Sequence, residues 1–108
     1  MSISLTTRPR APSFGATHEV PIATHEVFRR FWAPACEALQ LRWVPMFATG
    51  IPLDHADVVD VLSELEALRA WSEQHSEARD TIGQRLDRLI SELRALEGAS
   101  DDLELYVG

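Results

Sequence analysis

Two spacings of apolar residues alternate along the chain, one of two residues and one of three to four. Over residues 2–7, Ile3 and Leu5 alternate with hydroxyl side chains, the pattern of a half-buried strand. The run Arg8-Pro9-Arg10-Ala11-Pro12 then predicts an extended turn or loop, because proline and the residue before it disfavour helix. Residues 18–22 form a second candidate strand. Pro21 restricts it to an edge or a bulge, having no N–H for a ladder.

From Thr24, a good N-cap, the spacing changes to that of a helix. Val27, Phe28, Phe31, Trp32, Ala35 and Leu39 share one broad face, and Pro34 must kink the helix or divide it. Residues 41–47, with Trp43, Val44 and Phe47 among them, favour a strand near an edge, interrupted by Pro45 and ending in a Thr49-Gly50 turn. Asp54 with Asp57 three residues on predicts a capped helix start, and Val58, Val61, Leu62, Leu65 and Leu68 supply that helix with an apolar stripe. A second stripe, Ile82, Leu86, Leu89, Leu93 and Leu96, runs towards Gly98, a natural stop. Residues 103–107 read as a closing strand.

The two stripes keep one heptad register through Ser72, His75 and Arg79. One reading is a single helix of about 40 residues, roughly 60 Å long, that dimerises along its seam. The other is a helical hairpin that turns between Ser72 and Asp80, with Ser76 or Asp80 capping the last helix. Three successive polar seam positions and the small radius of a domain this size favour the hairpin. Leu62 and Ile90, just off the seam, then require cover from a third layer. The expected architecture is a single α+β domain over residues 1–108: a small, mostly antiparallel sheet of three to four strands against a bent helix and a C-terminal antiparallel helical hairpin, in the order β(β)αβααβ.

Composition narrows the function classes. The chain is 45% hydrophobic and 25% charged, ordinary for a folded domain. The first twenty residues hold no apolar core of a secretory leader, and the densest apolar run, 43–53, is too short and too broken for a membrane helix. A single cysteine, Cys36, excludes an internal disulfide and fits a cytoplasmic setting. All ten basic residues are arginine; five lie in residues 1–50 against three acids, and five in residues 51–108 against fourteen. The net charge of −7 disfavours nucleic acid and anionic membrane, and favours a basic or neutral protein partner.

Candidate chemistry is sparse. Ala-Thr-His-Glu-Val occurs at 16–20 and again at 23–27, bringing His18, Glu19, His25 and Glu26 within nine residues. Such a set could hold a metal or act as acid and base, yet the H-E-x-x-H spacing is absent and two Thr-led turns explain the same letters. No phosphate-binding glycine loop, nucleophile elbow or Cys-x-x-Cys occurs. Cys36 in an apolar helix is expected to be a packed, inert thiol. No catalytic residue, metal site or cofactor is therefore assigned.

Asp57, Asp60 and Glu64 share one helical face and have no cation four residues on. Trp43, Met46 and Phe47 form the apolar cluster best placed to reach the surface, with the residue types of interface anchors. The expectation is a non-enzymatic binding module of bacterial type that presents this acidic face to a basic protein, as a toxin-neutralising immunity protein or a secretion adaptor does. Its alternatives are a small metal-dependent or acid-base enzyme built on the two His-Glu pairs, and a homodimer or larger oligomer joined through the helical seam.

Overall fold

The computed structural model describes residues 2–9, 17–97 and 103–108. Four antiparallel strands, β1 (Ser2–Pro9), β2 (His18–Thr24), β3 (Ile51–Leu53) and β4 (Leu103–Val107), form one sheet in the order β2-β1-β4-β3. Between β2 and β3 lie α1 (His25–Val27), a π-helical turn (Phe28–Trp32), α2 (Ala33–Leu39) and a 3-10 turn (Val44–Ala48). A second 3-10 turn (His55–Asp57) leads into α3 (Val58–Glu73), followed by α4 (Ser76–Glu97). The expected α+β class and element order are present.

The sheet follows its alternation with one exception. Ile3 and Leu5 of β1 and Leu105 and Val107 of β4 face the helices, whereas Arg8 and Tyr106 are exposed. On the edge strand β2, Ile3 pairs with Ala23 and Ser4 with Pro21, so Ile22 is an extra residue in a bulge and both Ile22 and Ala23 are buried. Proline thus sits where an edge tolerates it. β1 runs longer than expected, because Arg8 and Pro9 continue the pairing to Glu104 and Leu103. The rest of the expected loop, residues 10–12, and the expected stop at Gly98 lie outside the described residues.

The helical hairpin forms, but its turn is tighter than expected. Only Gln74 and His75 separate α3 from α4. Ser72 stays in α3, fully buried, because its hydroxyl donates to the Arg69 carbonyl at 2.7 Å and leaves no orphan donor. His75 stacks on Trp71 with ring centroids 3.8 Å apart, and its carbonyl accepts the first helical N–H of α4, from Arg79. Neither Ser76 nor Asp80 is the cap. Ion pairs Arg69–Asp87 and Glu66–Arg94 link the two helices across their length. Leu62 and Ile90 are covered as the packing argument requires, joining the sheet residues and Trp32 in one core.

One expected strand is absent. Residues 41–47 do not pair; the segment closes into the 3-10 turn, and the third strand comes later, at Ile51–Leu53. Pro45 suits the first turn of a helix, where its missing N–H has no partner to lose. Val44 and Phe47, three residues apart, then both point into the core. The chain reverses at Gly50, whose φ of 93° favours glycine.

Candidate functional site

The first helix is built around Pro34. Thr24 caps it, its Oγ1 accepting the Val27 N–H at 3.1 Å. A regular helix would bring the Pro34 ring against the Arg30 carbonyl, and the chain instead widens by one residue, so that the Ala33 N–H reaches the Phe28 carbonyl five residues back. The helix is thereby divided, as expected from the proline. α2 ends at Gln40 in the left-handed region, φ 54°, where the Leu41 N–H closes on the Cys36 carbonyl at 2.9 Å. The chain then turns back along the helix it has just left.

A groove of about 740 Å³ lies between this divided helix and the 3-10 turn. Phe28, Ala33, Cys36, Leu41, Pro45 and Ala48 give it an apolar lining. Its polar lining residues are His25, which is half-buried, and the exposed Glu26, Arg29, Glu37 and Gln40. A volume of this size accommodates a large ligand or several side chains of a partner. Burial, and secondarily the Glu64 charge, push the Cys36 thiol up to about 12, so it remains protonated at neutral pH. Cys36 therefore lines the groove as an apolar contact.

The residues nominated from the sequence have mixed fates. The Asp57 carboxylate accepts the Asp54 N–H at 3.0 Å and completes a capping box. Glu64 turns inward across α3 to the N–H groups of Arg42, Trp43 and Val44, at 2.9 to 3.2 Å. Of the three acids Asp60 alone is exposed without a hydrogen bond or ion pair among the described residues. Of the apolar cluster, Phe47 is fully buried, Trp43 half-buried, and Met46 39% exposed. Of the six nominated side chains, Asp60 and Met46 are thus the exposed ones; Pro45, next to Met46 in sequence, lines the groove.

The two His-Glu pairs are not brought together. His18 and Glu19 open β2 and His25 and Glu26 follow its far end in α1, roughly 20 Å away at strand rise, and His18 approaches Glu92 of α4 at 3.7 Å. Among the described residues no three of His, Cys, Asp and Glu cluster closely enough to hold a metal ion. The heptad seam is closed within the chain, where the apolar stripes of α3 and α4 are buried against each other. No described helix is long and apolar enough to cross a membrane.

Of the groove residues, His25, Glu26 and Cys36 were weighed from sequence, but for metal, acid-base or thiol chemistry and not as parts of one groove. The available signal was an excess: the first helix carries more apolar positions than one buried face needs, and Val27, Phe31, Leu39 and Leu41 are left only partly covered. Among known proteins, no family model, curated sequence or solved structure matches the chain.

Proposed function

We propose that the chain is a non-enzymatic binding module that takes an apolar segment of a basic protein into the groove beside the π-helical turn. The observation that carries this reading is the groove itself: an apolar lining of about 740 Å³ flanked by Glu26 and Glu37, on a chain of net charge −7. Among the lining residues Arg29 is the one fixed cation, so carboxylates outnumber it. In this division of labour, apolar burial supplies most of the affinity, and the flanking acids Glu26 and Glu37 steer encounter and reject acidic competitors. A toxin-neutralising immunity protein or a secretion adaptor in a bacterial cytoplasm is the setting that fits such a module.

The test uses two amphipathic helical peptides, one of Leu and Lys and one of Leu and Glu, titrated into the full chain by NMR. Binding of the basic peptide, with shifts centred on Phe28, Cys36 and Leu41, loss on Ala33→Phe, and an association rate that falls steeply with salt, supports the reading. Equal binding of both peptides, or shifts confined to another face, sinks it.

A further inference from the structure

One wall of the groove is not part of the divided helix. Leu41, Pro45 and Ala48 belong to the connection from α2 to β3, which lies outside the sheet and contains no α-helix. Val44 and Phe47 anchor this connection in the core, but apolar burial is non-directional and leaves the turn free to roll about its own axis. Among the described residues, the side-chain hydrogen bonds that tie this connection to another element come from Glu64. The Glu64 carboxylate accepts the N–H groups of Arg42, Trp43 and Val44, using both oxygens for the first two. Three successive backbone donors converging on one anion form a rigid cradle with a defined orientation.

We propose that Glu64 is the positioning residue of the groove: by holding the backbone of residues 42–44 from behind, it sets where Leu41, Pro45 and Ala48 stand and so which apolar segments can enter. The width of the binding surface is thus fixed from α3, by a residue outside the groove lining. The proposal rests on the groove being the binding site. Cys36, the chain's only cysteine, lines the same groove and reports on its opening without any ligand.

Three variants of the full chain decide the matter. Glu64→Asp keeps the charge but shortens the reach, Glu64→Gln keeps the length but removes the charge, and Asp60→Asn removes a charge one turn away on the same helix. In peptide-free protein, both Glu64 variants are expected to speed amide exchange at 42–44 by about tenfold or more, since an unheld N–H opens readily to water, and Glu64→Asp, which keeps the charge that helps hold the Cys36 thiol protonated, is expected to speed Cys36 alkylation by iodoacetamide by a similar factor. Asp60→Asn is expected to change neither. The affinity for the Leu-Lys peptide should fall by a similar factor in the two Glu64 variants.

Wild-type behaviour of Glu64→Asp overturns the proposal, as does equal acceleration by Asp60→Asn, which would reduce Glu64 to one charge among many. Should the Glu64 variants fail to fold, exchange in the unaltered protein still decides: slowed amides at 42–44 support the cradle, and exchange at the rate of open chain refutes it. Faster alkylation in Glu64→Asp without any peptide binding to the wild type would remove the binding reading and leave the positioning role standing.

Discussion

The backbone N–H of Trp43 lies 2.9 Å from one carboxylate oxygen of Glu64 and 3.0 Å from the other. This contact joins the middle of α3 to the connection between α2 and β3, more than twenty residues away in sequence, and with its neighbours at Arg42 and Val44 it replaces the strand pairing that this segment lacks. Replacing Glu64 by Ala leaves three N–H groups without an acceptor, two of them part-buried. We predict a loss of about 2 to 3 kcal/mol in urea unfolding, the range for hydrogen bonds to a charged partner. A loss below half a kcal/mol would mean that water replaces the carboxylate freely.

Cys36 carries the pH prediction. Its thiol, raised to about 12 in the folded chain from an ordinary value of 9.0, binds its proton more tightly when folded. The contribution is therefore complete below pH 9 and lost as pH climbs towards 12. The stability difference between the wild type and Cys36→Ala should be flat from neutral pH to 9 and then move against the wild type by about 1.4 kcal/mol per pH unit. At pH 8 the thiol should alkylate about a thousandfold more slowly than free cysteine, in line with its thiolate fraction.

Gly50 and Gly83 should respond in opposite directions to alanine. At Gly50 the backbone is in a left-handed conformation, and an added Cβ would overlap the Tyr106 hydroxyl. Gly50→Ala is expected to cost about 2 kcal/mol or more, with only partial recovery on adding Tyr106→Phe, because the φ penalty remains. The double-variant cycle measured by thermal unfolding separates the two contributions.

Gly83 lies inside α4, and a Cβ there meets nothing within 4 Å. Gly83→Ala should stabilise the chain by about 0.5 to 1 kcal/mol through helix propensity and a less flexible unfolded state. A rise in melting temperature checks it; a fall would require a contact that the structure lacks.

Trp32 is fully buried and stacks on Phe28 with centroids 5.7 Å apart, yet its indole N–H has no acceptor among the described residues. Trp32→Phe removes an unsatisfied donor, a gain of about 1 to 3 kcal/mol, and opens a small void, a cost of about 1 kcal/mol. The net change in denaturant midpoint should be close to zero or slightly positive. A loss above about 2 kcal/mol, comparable to an ordinary core truncation, would show that the N–H is satisfied in solution.

Much of the fold was legible in local patterns. The alternation of Ile3 and Leu5, the caps at Thr24 and Asp54 and the stripes of α3 and α4 each name an element whose stability rests on its own residues and neighbours. The errors fall where a partner outside the local pattern intervenes, a distant carboxylate at residues 42–44 and a helix carbonyl three residues back at Ser72. Trp43, Val44 and Phe47 have strand preferences, but the Glu64 carboxylate holds the N–H groups at 42–44 and Pro45 starts a helical turn. Ser72 looked like a turn residue, and its hydroxyl instead closes on the carbonyl of Arg69 within α3.

The candidate site was less legible for the same reason. Asp57, Asp60 and Glu64 share a helical face in any reading of the spacing, but what each carboxylate does depends on what lies opposite. Asp57 faces the N–H of Asp54, Glu64 faces the backbone of residues 42–44, and Asp60 faces solvent. The groove is a product of two segments, each an ordinary partly apolar stretch when taken alone.

The sequence by itself determined which stretches are α-helix, which stretches pair at the two ends of the chain, and which sides of them are apolar, because periodicity and capping act over a few residues. Only the tertiary structure decided which carboxylates are free, where the third strand falls and that Phe28, Cys36 and Pro45 enclose one groove. Those outcomes depend on hydrogen bonds and packing between residues far apart in the chain, and no local spacing encodes their meeting.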